Sequence, residues 1–464
     1  MTFDALPRRV AATALAGLIA LTGLAQTGTA QAQAPRGLPI IRDTEIENLL
    51  RDYARPLFRA AGVGGSQTNV IIVNDRGFNA FVANGRRMFI NAGAILDSRT
   101  PNELIGVMAH ETGHIAGGHL ARLREAVERA QIIAALGMIV GAAGVAAGAT
   151  MGRGAAGVGE AAPGVLMAGP HVAMRSLLSY QRGEEAAADR AAVNYLNATG
   201  QSAKGMVETF RRLQNESMLA ARRADPYTIS HPIPADRVAI IEPLAKASPH
   251  YNAVDPPDRV MRHNLARAKL AGFLDRQESI SRRFPPGDNS LPARYARAIQ
   301  MFRFGDRNRA SAMADELIRA QPGNPYFHEI KGQILLETGQ PAAAIPALRR
   351  AVSLAPNAGL IRIMLGHALV ATGNPAQLDE AVRELRLALQ REPEAADGYR
   401  QLAIAYGRKN DRGQADLSAA QAALHDGDLN TARGLARRAQ GSLPSGSPGW
   451  LRAEDIVNQR PQRN

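Results

Sequence analysis

The chain has 464 residues, no cysteine and a formal net charge of +13. This length is enough for two or three domains with cores of their own. The lack of cysteine excludes disulfide bonds, cysteine-ligated zinc and cysteine nucleophiles. The basic residues are spread along the chain among Asp and Glu, which is typical of a solvated surface.

The N-terminus has the layout of a secretory signal peptide. Arg8 and Arg9 precede an apolar run over 10–24, and Ala-Gln-Ala at 30–32 is a small-x-small cleavage site. We therefore predict a signal peptide over 1–32 and export to a bacterial periplasm, with no nucleic-acid partner. A transmembrane anchor is the alternative, but the apolar run is short and a cleavage site follows it.

The next elements predict one helix and a small sheet. Residues 43–61 have apolar residues at helical spacing, and the β-branched run 70–73 predicts a strand. Two further short strands are expected over 78–82 and 87–90. The Asn-Gly at 84–85 between them favours a hairpin.

The stretch His110-Glu111-Thr112-Gly113-His114 follows and is expected to be helical. Two histidines four residues apart project from one face of a helix and can hold one Zn²⁺. The intervening Glu111 could take a proton from a water molecule that the metal activates. Apolar residues on both sides indicate a buried helix, where such polar groups need partners. The motif therefore predicts a metalloprotease.

Residues 132–152 contain no charged residue and are rich in Gly and Ala. The run could span a bilayer, but a single span would place the motif and all later residues on opposite sides. We interpret 132–174 as a flexible, apolar hairpin that either covers the active site or contacts a membrane surface. A membrane-inserted hairpin is the alternative.

A catalytic zinc needs a third protein ligand. One class of zinc proteases places a histidine six residues after the second, but Leu120 stands there. His119 is one residue short and is expected to be turned well away from the face of His110 and His114. We interpret His119 as structural. Another class uses a glutamate from a second helix. Glu185 and Asp189 share a helical face among small alanines, whereas Glu184 is interpreted as a solvated neighbour.

The motif followed by Glu-x-x-Ala-Asp at 185–189 resembles the gluzincin family that includes the CAAX prenyl proteases and the HtpX heat-shock proteases. Asn79-Ala80-Phe81 matches the edge strand of that family. His231-Pro232 with Arg237 matches its late His-Pro-x-x-x-x-Arg element. The resemblance covers 43–245.

The resemblance implies that His110, His114 and Glu185 bind one Zn²⁺ per chain and that Glu111 is the general base. It implies that Asp189 supports the site, as proton donor or by orienting a ligand histidine. Asn79, Ala80 and Phe81 would pair with an extended substrate backbone. His231, with Arg237 behind it, would either stabilise the oxyanion or occupy the fourth zinc position and keep the enzyme latent.

The C-terminal third contains a repeat. Pro322 and Pro356 are 34 residues apart. Pro393 follows after a slightly longer interval. Alanines recur at positions 310, 344 and 381. This is tetratricopeptide spacing, with two antiparallel helices per unit. Proline-rich breaks at 256–257 and 285–287 bound a bridging helical segment, and Trp450 falls in an irregular final cap.

These patterns predict an α+β zincin-type protease domain, mostly helical with a small sheet, followed by an all-α tetratricopeptide solenoid. The expected domains are a protease domain over 38–250, a linker helix over 251–288 and repeats over 289–455.

The combination resembles family members that act in outer-membrane protein assembly. It implies a periplasmic endopeptidase whose partners are misfolded or assembling outer-membrane proteins and the barrel-assembly machinery. The alternative is mainly a chaperone or assembly scaffold with a latent zinc site. The missing cysteines and the longer Gly/Ala insertion depart from that pattern.

Overall fold

The computed structural model describes residues 38–64, 69–83, 86–150, 158–219, 231 and 235–459. Within them the chain divides into two compact units, one formed by 38–42 and Glu47–His263, the other by Asp43–Ile46 and 264–459. The predicted signal peptide and the Asn-Gly at 84–85 lie outside the described residues. The predicted domain limits stay predictions.

The first unit begins with a small sheet and one amphipathic helix. Helix α1 (Thr44–Ala60) buries the apolar face that the sequence predicts, including Leu49, Leu50 and Leu57. Asp43 caps it by accepting the backbone N–H of Ile46 at 2.9 Å.

The strands are β1 (Ile40–Ile41), β2 (Asn69–Val73), β3 (Ala80–Ala83) and β4 (Arg87–Asn91). Their order is β1-β2-β4-β3, so β3 forms one edge of the described sheet. β3 and β4 are antiparallel, as the predicted hairpin requires, and Phe81 pairs with Phe89 across them. β2 and β4 are parallel, which the local pattern does not reveal.

Helix α2 (Ala92–Asp97) leads into the motif helix α3 (Pro101–Gly117). Thr100 accepts the backbone N–H of Glu103 at 3.3 Å, and Pro101 occupies the first turn, where no backbone N–H is needed. Helix α3 is buried on most sides, as the flanking apolar residues predict.

Two glycines of α3 allow close helix contacts. A Cβ on Gly113 would lie 2.8 Å from the carbonyl oxygen of Ala188, and one on Gly106 would lie 2.7 Å from Cβ of Met206. These contacts bring α5 (Val158–Ala198) and α6 (Lys204–Leu219) against the motif helix. A larger residue at either position would push the helices apart.

The segment predicted as a flexible hairpin is helical where it is described. Helix α4 (His119–Thr150) packs along α5, and residues of the early part of α4 contact the middle of α5. The pair is therefore antiparallel, with 151–157 outside the described residues. Helix α7 (Ala235–Lys246) completes this unit together with the first part of α8 (Pro257–Leu274). No helix in the described ranges is long and apolar enough to cross a membrane.

The regular elements of the second unit are all helices in its described part, which comprises Asp43–Ile46 and the chain from Asn264 within α8 to residue 459. After α8 come α9 (Gln277–Arg283), α10 (Leu291–Phe304), α11 (Arg307–Ala320), α12 (Pro325–Glu337), α13 (Pro341–Leu354), α14 (Gly359–Ala371), α15 (Leu378–Arg391), α16 (Ala396–Arg408), α17 (Arg412–His425), α18 (Leu429–Ser442) and α19 (Pro448–Asn458). Consecutive helices pair as in tetratricopeptide repeats, which confirms the predicted fold class.

The small residues of the predicted repeats are buried where the two helices of a pair meet. Ala310, Ala344 and Ala381 are each the fourth residue of the second helix in a pair, and all are fully buried. A Cβ on Gly366 would lie 2.4 Å from Cγ of Leu385. The small residues mark where paired helices cross.

The segment expected to be a linker is partly core. Leu265 and Ala268 of α8 and Ile280 of α9 belong to the same buried cluster as Tyr295 of α10. Residues from 264 onward therefore pack with the repeats. At the other end, Trp450 lies in α19, the last helix of the described chain.

Candidate metal centre

The imidazole rings of His110 and His114 project from the same face of helix α3 and converge. Their Nε2 atoms are 3.0 Å apart. His110 is fully buried, and the side chain of His114 is 12% exposed. The spacing of four residues on a helix is the local cause of this convergence.

Helix α5 brings Glu185 to the same point. Its Oε2 lies 3.3 Å from Nε2 of His110, and its Oε1 lies 3.4 Å from Nε2 of His114. The close approach of α5 at Gly113 makes these distances possible, because Ala188 is three residues after Glu185. The glutamate predicted from the second helix is thus next to both histidines.

His231 is the fourth member of the group. Its Nδ1 lies 3.0 Å from Oε1 of Glu185 and 3.4 Å from Nε2 of His110. One ligand atom from each of His110, His114, Glu185 and His231 lies within 4.8 Å of the others. In the described part of the chain, these four residues could hold a metal ion.

The donor set fits zinc. Two imidazoles, a carboxylate and a further imidazole are all ligands that Zn²⁺ takes. Two ligands at about 2.05 Å from a tetrahedral ion lie roughly 3.3 Å apart. The pairs formed by His110, His114 and Glu185 are 3.0 to 3.4 Å apart, so they can bind one ion with small side-chain adjustments.

Asp189 and Arg237 form a second layer of contacts. Nδ1 of His110 lies 2.9 Å from Oδ1 of Asp189. Arg237 donates from Nε and Nη2 to the two oxygens of Asp189, both at 2.8 Å, and its Nη1 lies 2.9 Å from Oε2 of Glu185. The guanidinium also lies over the ring of Phe210, 5.0 Å from its centroid. Arg237 therefore bridges both carboxylates of α5.

Glu111 is buried beside the group and, unlike Glu185 and Asp189, makes no side-chain hydrogen bond to a described residue. Neither of its carboxylate oxygens has a hydrogen-bond partner among the described residues, and its Oε1 lies 3.6 Å from Nε2 of His231. Burial raises the pKa of Glu111 above its ordinary value, against the lowering effect of His231 and His110. A carboxylate with a raised pKa is suited to proton transfer near neutral pH.

His114 and Glu185 are held in the charge states that a metal site requires. Burial lowers the pKa of His114 to about 3, although Glu185 opposes this. Burial alone would raise the pKa of Glu185, but His231, His110 and His114 outweigh it and hold the pKa well below its ordinary value. Metal ligands must be a neutral imidazole and an ionised carboxylate.

His110 is more basic than a free histidine. Burial opposes its charged form, yet the contacts with Asp189 and Glu185 raise its pKa to about 9. The Asp189 pKa is lowered despite burial, by His110 and Arg237. A metal ion that binds His110 would displace the proton that this raised pKa favours, because a ligand imidazole must be neutral.

The predicted substrate-binding residues lie beside the group rather than in it. Ala80 and Phe81 begin the edge strand β3, which packs beside α3. The carbonyl oxygen of Asn79 accepts the backbone N–H of Asn91 at 2.9 Å. Phe81 stacks on Phe89, with ring centroids 5.0 Å apart.

The comparison with protein families agrees with this geometry. Residues 41–245 match the model of peptidase family M48. This part of the chain is a peptidase M48 domain. Peptidases of this family are metalloproteases, and the four-residue group in the M48 domain could hold a metal ion.

Relatives of similar organisation are known. The chain is 24% identical over 429 residues to the Beta-barrel assembly-enhancing protease of Yersinia pestis, covering 91% of this chain and 84% of that protein. It is 24% identical over 432 residues to the protein of the same name from Escherichia coli strain K12, with the same coverage.

Two solved structures are also similar. The structure of MamA (MSR-1 C2) covers 37% of this chain and 94% of its own, at 20% identity and a TM-score of 0.30. That of YrrB, described as a TPR protein, covers 48% of this chain and 97% of its own, at 19% identity and a TM-score of 0.29.

The structure brings together three residues whose contact the sequence does not predict. His119 is expected to point away from His114, but their Nδ1 atoms are 2.9 Å apart. Glu184 is expected to be solvated, but its side chain is 18% exposed and its Oε2 lies 2.9 Å from Nε2 of His119. Arg122 donates to the same oxygen at 2.7 Å. The available signal was the Gly117-Gly118 pair, which ends the motif helix before His119.

Proposed function

We propose that this chain is a zinc-dependent endopeptidase of the bacterial periplasm that acts on misfolded or assembling outer-membrane proteins. The observation that carries the proposal is the convergence of His110, His114 and Glu185 beside the buried carboxylate of Glu111. The M48 match supports peptide hydrolysis. The names of the relatives support a task in β-barrel assembly.

His110, His114 and Glu185 would hold the zinc ion. When bound, zinc would lower the pKa of water and polarise the carbonyl that is attacked. Glu111 takes the proton of the attacking water and passes it to the leaving amine. Its burial and lack of hydrogen bonds leave both oxygens free for this transfer within the described site.

The surrounding residues keep the ligands in place. Oδ1 of Asp189 lies 2.9 Å from Nδ1 of His110, and this contact would hold the ring so that Nε2 could bind the metal. Arg237 stabilises the two neighbouring carboxylates of Glu185 and Asp189, which would otherwise repel each other. The substrate backbone would add to β3, the edge strand, by backbone hydrogen bonds along Asn79, Ala80 and Phe81.

His231 has two roles that its position allows. Its Nδ1 is close to Glu185 and His110, as for a fourth ligand that keeps the enzyme latent. Its Nε2 faces Glu111 at 3.6 Å, as for a group beside the reacting carbonyl that stabilises the oxyanion. His231→Ala distinguishes them, since activity rises in the first case and falls in the second, with zinc retained in both.

A second candidate function follows from the first of these roles. If His231 holds the site latent, the repeats do the main work and the chain is chiefly an assembly scaffold or chaperone. The contact of His231 with Glu185 at 3.0 Å favours this candidate. In both cases the repeats would dock clients or the barrel-assembly machinery, and the apolar segment 132–174 would serve as a lid or as a membrane contact.

The test is the zinc content and casein cleavage of the mature protein beside its Glu111→Gln variant. We expect one zinc per chain in both and a loss of activity of about 100-fold or more in the variant. Absence of zinc from the wild-type protein, or equal cleavage by both, would contradict the proposal.

A complementation experiment separates the two candidate functions. In a deletion strain, a Glu111→Gln chain that restores every phenotype makes the scaffold the main function. A variant that restores none makes proteolysis the essential function. Export is tested in the same strain by cell fractionation and by the N-terminal residue of the mature chain, expected to be Gln33.

A further inference from the structure

His119 lies at a break between two helices and turns back toward the metal centre. Helix α3 ends at Gly117, and Gly118 adopts a left-handed conformation with φ of 63°. This reversal brings Nδ1 of His119 to 2.9 Å from Nδ1 of His114. On an uninterrupted helix, the two side chains five residues apart would point in different directions.

The contact continues to a carboxylate and a cation. Nε2 of His119 lies 2.9 Å from Oε2 of Glu184, which also accepts from Nη2 of Arg122 at 2.7 Å. If His114 binds the metal through Nε2, only one arrangement of the hydrogens is possible in this chain of contacts. Its Nδ1–H then donates to Nδ1 of His119, and Nε2–H of His119 donates to Glu184.

Gly117 supplies an independent observation. A Cβ on Gly117 would lie 2.1 Å from Nε2 and 2.3 Å from Cδ2 of His119. The imidazole therefore occupies the space that any other residue at 117 would fill. The side chain of His119 is only 7% exposed, so the ring has little room to move elsewhere.

We infer that His119 and Glu184 are positioning residues that hold the ligand His114 in its metal-binding orientation. The inference rests on the proposed function and extends it from the ligands to their support. The two ligand histidines are then supported in related ways. Nδ1 of His110 lies 2.9 Å from Asp189, which is paired with Arg237. Nδ1 of His114 lies 2.9 Å from His119, which contacts the Glu184–Arg122 pair. Helix α5 would then supply the ligand Glu185 and two supporting carboxylates, Asp189 for His110 and Glu184 for His114.

Zinc affinity of the full-length mature chain tests the inference, measured by competition with a chromogenic chelator. The variants are His119→Ala, His119→Gln, Glu184→Gln and Gly117→Ala, all in a Glu111→Gln background to prevent self-cleavage. Gly183→Ala and Glu128→Gln are matched controls, because a Cβ on Gly183 meets nothing within 4 Å and Glu128 is exposed. Two further readouts are the thermal midpoint of the metal-free protein and the visible spectrum of the Co²⁺ form.

We expect His119→Ala and Gly117→Ala to weaken zinc binding about 10- to 100-fold, which is usual for loss of a ligand's hydrogen-bond partner. The Co²⁺ spectrum should change in both. His119→Gln should regain most of the affinity, because an amide can accept from His114 and donate to Glu184. Glu184→Gln should lose affinity, the two controls should not, and the metal-free midpoint should stay close to that of the parent.

Unchanged zinc affinity in both His119→Ala and Gly117→Ala would overturn the inference and leave the proposed function intact. A fall in affinity that is matched by a lower metal-free midpoint and is not repaired by Gln would also overturn it, by making His119 a structural residue. If the parent chain itself binds no zinc, the proposed function fails and the inference fails with it.

Discussion

The two units of this chain bury different kinds of side chain. In the M48 domain, ionisable side chains converge from three helices and one loop residue on a single point; they are His110, Glu111, Glu185, Asp189, His231 and Arg237. In the repeats, the cores consist mainly of Ala, Leu and Ile from successive helices. A buried charge has to be compensated by particular partners, whereas an apolar core needs the right volume.

This difference predicts where the chain is sensitive. Near the metal centre, loss of one partner leaves another charge uncompensated in a buried place. In the repeats, a change of volume matters, and its cost depends on what lies within van der Waals reach. The predictions below compare the two situations, beginning with the largest effect.

Glu185→Ala should abolish stoichiometric zinc binding while the chain stays folded. The change removes one of the three proposed ligands, whose ligand atoms lie within 3.4 Å of one another. Zinc content by atomic spectroscopy and circular dichroism measure the two outcomes. One zinc per chain in the purified variant would refute Glu185 as a ligand.

Arg237→Gln should destabilise the metal-free M48 domain by about 3–5 kcal/mol. The guanidinium is 5% exposed and contacts both Glu185 and Asp189, so its loss leaves two buried carboxylates without their cation. Urea unfolding measures the loss in the free energy of unfolding. Faster hydrogen exchange of the α5 amides would show that the loss is in this part of the domain.

Arg122→Gln is the matched control for that experiment. Arg122 also pairs with a carboxylate of α5, but its side chain is 48% exposed. Exposed pairs contribute up to about 1 kcal/mol. Equal losses of stability in the two variants would mean that burial of the Arg237 contacts does not matter.

Glu45→Gln should remove part of the pH dependence of stability in the second unit. Glu45 lies there in a buried group with Lys269, whose Nζ is 3.5 Å from Oε2, and it accepts a hydrogen bond from Tyr295 at 3.1 Å. Burial raises the pKa of Glu45 to about 7, against the lowering effect of Lys269. A raised folded-state pKa favours the protonated form.

The sign follows from linkage. Protonated Glu45 contributes fully to the free energy of unfolding below its unfolded pKa of 4.5. This contribution falls by about 3 kcal/mol in all as the pH rises to about 7. Glutamine cannot ionise, so the variant should lose less stability than the parent between pH 5 and 8. Urea midpoints across that window measure it, with exposed Glu337→Gln as control. Parallel curves for the parent and Glu45→Gln would contradict the prediction.

Two glycine substitutions in the repeats should have opposite signs. Gly366→Ala places a Cβ 2.4 Å from Cγ of Leu385 and should destabilise by about 1–3 kcal/mol. In α16, a Cβ on Gly407 would have no atom within 4 Å. Gly407→Ala should therefore raise the free energy of unfolding by up to about 1 kcal/mol, because alanine favours the helix. Thermal midpoints of the two variants check this. A destabilising Gly407→Ala would show that helix propensity is not the deciding effect there.

Local pattern was sufficient for several features of this protein. The spacing of His110 and His114 and the recurring alanines of the repeats follow from the geometry of a single helix or helix pair. Helical periodicity also sets which side of α5 Glu185 occupies, and its carboxylate lies 3.3 Å from Nε2 of His110. Whether Glu185 binds zinc stays a prediction.

The tertiary structure decided what the sequence alone left open or placed wrongly. The left-handed turn at Gly118 carries His119 back to His114, and α5 then brings Glu184 to it, a contact between residues 65 apart along the chain. Arg237 bridges two carboxylates from a separate helix, and β2 pairs with β4 in parallel. Helical periodicity acts within a few residues, whereas these contacts depend on how distant segments pack. The sequence by itself determined the metal-binding motif and the repeats, and packing determined which side chains support them.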